Sequence, residues 1–129
     1  MKLNGSFFEI ISATVPASYR IRLNPGHEIY KAHFPEQPIT PGVIIVRMAM
    51  ELLSDALGRK AHLVGAPNIK FSSPLFPRVE AAPKPAAQST GGGAGKEVDF
   101  QITIKEGNMA SVVVSDAETV FSKMLIRYE

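Results

Sequence analysis

The sequence predicts an α+β domain in which a curved antiparallel β-sheet wraps one long central α-helix. The segment from Pro41 to Leu57 is apolar around most of a helical circumference, with Arg47, Glu51, Ser54 and Asp55 falling on one narrow stripe; a helix of that kind has to be enclosed by other structure. Most other periodic segments alternate apolar and polar side chains with the two-residue period of half-buried strands. One helix, several strands and little else leave a sheet curled around the helix as the arrangement that buries both.

Taken in order, Phe7 to Ser12 is a short β-prone run, and Tyr19 to Asn24 places Tyr19, Ile21 and Leu23 on one face. Asn24-Pro25-Gly26 ends that strand with turn chemistry, after which Ile29 and Tyr30 are expected to continue extended toward His33. The helix has Thr40 as its expected N-cap, Pro41 as its first residue and Gly58 as its stop. His62 to Val64 and Ala66 to Phe71 lead as strand into Ser72-Ser73-Pro74. Val98 to Ile104 alternates strictly, Glu106-Gly107-Asn108 is a hairpin turn, and Ala110 to Ser115 and Thr119 to Tyr128 are β-branched and aromatic strands. Residues 80–96 are rich in Pro, Gly and Ala with no large apolar side chain, which reads as a flexible loop within a single domain spanning 1–129.

Composition excludes several classes of function. A net charge of +2, with Lys and Arg dispersed and no basic block among aromatics, argues against nucleic acid as partner. The chain contains no cysteine, so disulfides and thiolate metal sites are excluded. His27, His33 and His62 do not have metal-ligand spacing, and no metal is expected. His27, in a turn, and His62, just past the helix stop, read as surface residues. The longest apolar run, Val43 to Met50, is interrupted by Arg47 and is too short to span a membrane. The first ten residues do not read as a signal peptide, and a cytoplasmic location is the simplest expectation.

The chemistry concentrates in His33-Phe-Pro-Glu-Gln-Pro-Ile-Thr-Pro-Gly-Val43. A histidine opens a proline-punctuated loop that ends where the buried helix begins. Backbone N–H groups at a helix N-terminus have no intrahelical acceptor and can hold a carbonyl oxygen as it becomes an oxyanion. A general acid/base beside such a site suits acyl or thioester chemistry. Arg47 and Glu51, one turn apart, can form an i,i+4 pair. Alternatively, Arg47 can bind an anionic group or steady a leaving hydroxyl through water. Met48, Met50 and Phe71 suit either core or an acyl tunnel, while Glu36 and Gln37 read as solvated.

That motif, with Ile69-Lys70-Phe71, Pro74 and Pro77 after it, resembles the FabZ type of 3-hydroxyacyl-acyl-carrier-protein dehydratases. The resemblance spans roughly Tyr19 to Pro77 and implies the hotdog fold. It also implies a homodimer, or a higher homo-oligomer of dimers, with active sites at the subunit interface. The substrate would be an acyl chain on the phosphopantetheine arm of acyl carrier protein, dehydrated to a trans-2-enoyl thioester without metal or redox cofactor. By the same resemblance His33 is the base that takes the α proton and Gly42 the residue whose N–H holds the thioester oxygen. Phe34, Pro41, Val43, Arg47 and Glu51 are the expected substrate contacts. The sequence departs from the family at two places: Arg47 stands where the family has the helix acid, and Ala32 where it usually has glycine. The expected role is FabZ-like dehydration in fatty-acid or specialised lipid or polyene synthesis. The alternatives are a hotdog thioesterase in which Glu51 directs water, and a catalytically impaired acyl-carrier-protein-binding subunit of a heteromeric dehydratase whose partner supplies the acid.

Overall fold

The computed structural model describes residues 2–32, 38–78 and 95–129. The elements run β1 (Phe8–Thr14), β2 (Ser18–Leu23), α1 (Glu28–Ala32), α2 (Gly42–Leu57), β3 (Leu63–Phe71), β4 (Glu97–Lys105), β5 (Met109–Ser115) and β6 (Val120–Tyr128). Among the described residues the six strands form one curved antiparallel sheet in the order β1-β2-β4-β5-β6-β3, the hotdog arrangement of a sheet around α2. The two edges are therefore β1 and β3.

The register explains why the strands alternate as they do. Tyr19 and Ile21 of β2 lie opposite Phe100 and Val98 of β4. Phe100 and Ile102 lie opposite Val114 and Val112 of β5. Val112 and Ala110 lie opposite Met124 and Ile126 of β6. All of these are buried, and they form apolar rows across one face of the sheet. Ile44, Ile45, Val46, Met48, Ala49, Leu52 and Leu53 of α2 join them in one buried cluster. The β4–β5 hairpin turns through Gly107 and Asn108 at positive φ, as the Glu-Gly-Asn signal predicts.

Helix α2 stops at Gly58, whose φ of 70° is left-handed and whose N–H bonds Asp55 O, while Arg59 N–H bonds Ser54 O. Its start differs from expectation. Pro41, at φ −61° and ψ 143°, is the N-cap position and Gly42 the first helical residue. Thr40 caps nothing: its hydroxyl pairs with that of Tyr30 and its N–H donates to Leu75 O. Buried apolar surroundings outweigh the local capping preference, because a buried hydroxyl must find a partner and Tyr30 offers one.

Ile29 and Tyr30 are helical rather than extended, in the short α1. Two turn bonds start it: Asn24 Oδ1 accepts from Gly26 N–H and His27 Nδ1 accepts from Ile29 N–H. Ala32 ends α1 in helical backbone, so no left-handed residue is needed there and alanine carries no strain. His27 is half-buried, edge-on to Phe7, rather than exposed. Most of the predicted 80–96 loop lies outside the described residues, but its last two residues belong to the fold: Gly95 bridges Arg78, and Lys96 N–H donates to Pro77 O.

Candidate active site

The start of α2 is where the sequence places the amides expected to hold a substrate oxygen. Ile44 and Ile45 N–H both bond Pro41 O, which opens the helical ladder. The amides of Gly42 and Val43 precede that ladder, where helical N–H groups have no intrahelical acceptor and the helix dipole is positive. Pro41 makes no side-chain cap that would occupy them. Beside them lies a cleft of about 310 Å³ bounded by Thr40, Gly42, Ile45, Phe71, Ser73 and Leu75, among others. Pro41 is half-buried and Val43 is exposed at 69%.

Gly42 has a packing reason as well. A Cβ built there would lie 2.8 Å from Phe71 Cζ and 2.9 Å from Cε2, so the Phe71 ring rests on the glycine and any side chain would push it away. Phe71 is itself half exposed at the end of the edge strand β3. The fold thus places an aromatic wall against the peptide expected to hold the substrate carbonyl. His33 and Phe34 lie outside the described residues, between the ends of α1 and α2.

Glu51, Ser54 and Asp55 of the polar stripe of α2 hold the fold together. Both Glu51 carboxylate oxygens accept backbone N–H bonds, from Leu3 at 2.7 Å and Asn4 at 2.9 Å. Ser54 Oγ donates to Met50 O and accepts from Ala61 N–H. Asp55 accepts from Tyr19 OH at 2.8 Å. Burial and this carboxylate raise the Tyr19 hydroxyl to about 12. Glu51 is therefore fixed by the N-terminal segment, whose Leu3 is fully buried. Arg47 is exposed and shares a separate cleft of about 290 Å³ with Met50, Glu51, Lys60 and His62. The residues expected to meet around a substrate thus fall into two groups in the single chain, Gly42 in one cleft and Arg47 with Glu51 in another.

Two residues near the site had no functional reading in the sequence, Tyr30 and Thr40. Their hydroxyls meet at 2.8 Å in the interior, and burial holds the Tyr30 hydroxyl well above its ordinary range. No spacing rule pairs residues ten apart across a loop; the nearest signal was Thr40 itself, which reads locally as a cap. Among the described residues no group of three His, Asp or Glu side chains is placed to hold a metal ion, and no helix is long and apolar enough to cross a membrane.

Comparison with known proteins gives concordant matches. The family model described as ApeI-like, ApeI dehydratase, matches residues 11–113. A 3-hydroxyacyl-acyl-carrier-protein dehydratase FabZ of Syntrophobacter fumaroxidans is 27% identical over a stretch covering 54% of this chain and 51% of its own. The FabZ of Roseiflexus sp. (strain RS-1) is 32% identical over 40% of this chain and 41% of its own. The chain thus spans about half the length, or less, of these curated relatives. Among solved structures, the dehydratase heterocomplex ApeI:P from Xenorhabdus doucetiae superposes with a TM-score of 0.68 at 21% identity, covering 92% of this chain and 95% of that one. An uncharacterised protein from Erwinia carotovora subsp. atroseptica superposes at 0.57 and 18%, covering 93% and 89%. At these identities the two structures establish the fold.

Proposed function

Because the chain belongs to the ApeI-like dehydratase family, we propose that it removes water from 3-hydroxyacyl thioesters carried on acyl carrier protein, giving trans-2-enoyl thioesters. The observation that carries this reading is the start of α2: a glycine amide ahead of the helical ladder, open to a cleft with an aromatic wall. His33 takes the proton from the carbon α to the thioester. Electron density moves onto the carbonyl oxygen, where the Gly42 N–H and the helix dipole stabilise it; one such donor is worth about 10²–10³ in rate. The enolate then collapses, the α–β double bond forms and the β-hydroxyl departs. That hydroxyl needs a proton. Arg47 cannot give one, because a guanidinium stays protonated. The imidazolium formed at His33 can return its proton, so that water leaves and the base is regenerated. Phe34, Pro41 and Val43 are the proposed acyl contacts. The chemistry requires no metal or redox cofactor, since every step is a proton transfer or an elimination.

Association is part of the proposal. The edge strand β3 exposes Leu63, Val64 and Phe71, and Val43 is exposed on α2. An unpaired apolar edge is a template for strand pairing, and pairing here would extend the sheet into a second chain and bring its side chains toward the Arg47 cleft. The partner is a second copy or a related chain. One observation favours a related chain as a second reading: Arg47 occupies the place of the family's helix acid while Glu51 is tied to Leu3 and Asn4. The carboxylate would then come from a heteromeric partner; one of the structural relatives is itself a dehydratase heterocomplex.

The test is direct. Purified protein incubated with 3-hydroxyacyl carrier protein of several chain lengths should form the enoyl thioester, and His33→Ala should abolish it. Product that forms only after mixing with a carboxylate-bearing related chain would establish the heteromeric form. Release of free thiol without enoyl product would replace dehydration with thioester hydrolysis.

A further inference from the structure

Besides tyrosines, the polar side chains buried among the described residues are Thr40 and Ser122. Thr40 finds the hydroxyl of Tyr30. Ser122 is 0% exposed, and its Oγ has no hydrogen-bond partner. A buried hydroxyl without a partner bears the full cost of leaving water. Alanine would avoid that cost at the loss of a single heavy atom. The surroundings are apolar: Ser122 of β6 lies opposite Val114 of β5 on one side and Phe71 of β3 on the other, in a row that continues through Phe100 to Tyr19.

Opposed residues of an antiparallel pair share a face, with Cβ atoms about 5 Å apart, so Ser122 stands beside Phe71 on the face turned toward α2. The Phe71 ring in turn rests on Gly42 and bounds the cleft at the start of that helix. A single ring therefore separates the orphan hydroxyl from the amide ahead of the helical ladder. That ring is half exposed, while the backbone next to it is pinned by the N–H groups of Ser72 and Ser73, which both donate to Phe121 O. The ring can turn outward without moving the strand, and the cleft then extends to Ser122.

We propose that Ser122 receives the β-hydroxyl of the 3-hydroxyacyl group, its O–H donating to the oxygen that leaves. The inference rests on the dehydratase reading for the identity of the ligand. The thioester oxygen and the β-oxygen of one substrate are separated by three carbons, a span suited to two anchors that share one ring between them. As the bond from the β-carbon to oxygen breaks, its electron pair stays with the oxygen and the pair from the α-carbon forms the double bond. A hydrogen bond to that oxygen strengthens as charge gathers on it. The proton that completes the water is the one taken from the α-carbon, returned by the base, so Ser122 keeps its own. A saturated acyl chain has nothing to offer this hydroxyl at the β-carbon.

The experiment compares wild type with Ser122→Ala and with Ser122→Cys, which keeps the volume and has only a weak donor. The melting temperature of Ser122→Ala should not fall, because no bond within the fold is lost. Binding is measured by calorimetry with 3-hydroxyacyl- and saturated acyl-pantetheine amides, which bind without turning over. Wild type should hold the hydroxylated amide about tenfold more tightly than the saturated one, and both variants should bind the two alike, through weaker binding of the hydroxylated amide alone. With the 3-hydroxyacyl-pantetheine thioester, kcat/KM should fall about tenfold in both variants. A lower melting temperature in Ser122→Ala makes the hydroxyl structural and overturns the assignment. So does a wild type that binds both amides equally, or a preference that survives in the variants. If the preference is present in wild type and lost in the variants while wild type makes no enoyl product, the Ser122 contact stands and the assigned reaction falls.

Discussion

Gly42 does two things at once: it presents an amide ahead of the helical ladder, and it leaves room for the Phe71 ring. In Gly42→Ala the ring is half exposed and can swing outward, so the melting temperature should change little. The cleft wall moves with it, and turnover should drop about tenfold or more, as small misplacements near reacting atoms do. Wild-type turnover in Gly42→Ala would show that the ring contact is idle. Glu51 makes the opposite prediction. Its carboxylate satisfies two backbone N–H groups at the N-terminal segment. Glu51→Ala should therefore lower unfolding free energy by about 1.5–3 kcal/mol or more, the range for a bond to a charged acceptor, measured from urea midpoints. Glu51→Gln, with one acceptor oxygen left, should lose roughly half as much. An unchanged midpoint in Glu51→Ala would remove the anchoring role and return Glu51 to the substrate side.

At the scale of elements, the connection between β5 and β6 is tied to the start of β4 by one carboxylate. Asp116 accepts from Lys96 Nζ at 2.6 Å and from the N–H groups of Glu118 and Thr119. The Lys96 bond leads these in lowering Asp116 to about 2. Unfolding releases the carboxylate to its ordinary value near 3.8, so the unfolded state takes up the proton first as pH falls. The stabilisation is fully present above that value and is lost between it and about 2. Asp116→Asn should melt below wild type at neutral pH, and the gap should close on acidification across that window. A gap constant from pH 6 to 2 would contradict the assignment. The strands themselves were legible in the sequence because a two-residue period reports burial on one face whatever the partner strand. The short helix α1 was not, since five residues show too little of a 3.6-residue period.

For the whole molecule, β3 leaves an apolar edge unpaired within one chain. Val64→Lys, at a residue already 53% exposed, should leave the fold intact. It should also reduce the mass seen by light scattering from dimer or larger to monomer, with turnover falling alongside; a monomeric wild type would sink the association. What the sequence determined by itself was the class of architecture, the stop of α2 at Gly58, and the family resemblance carried by residues 33–43. Periodicity and turn chemistry are local, and they survive without knowledge of neighbours. Only the tertiary structure decided what the polar stripe of α2 serves: Glu51 the N-terminal segment, Ser54 the chain after the helix, Asp55 the hydroxyl of Tyr19. It also decided that Thr40 faces Tyr30 and that Phe71 rests on Gly42. Those contacts join residues up to 48 positions apart, and which polar group meets which across such distances is set by the curl of the sheet, where burial forces each hydrogen-bonding atom to take the partner within reach.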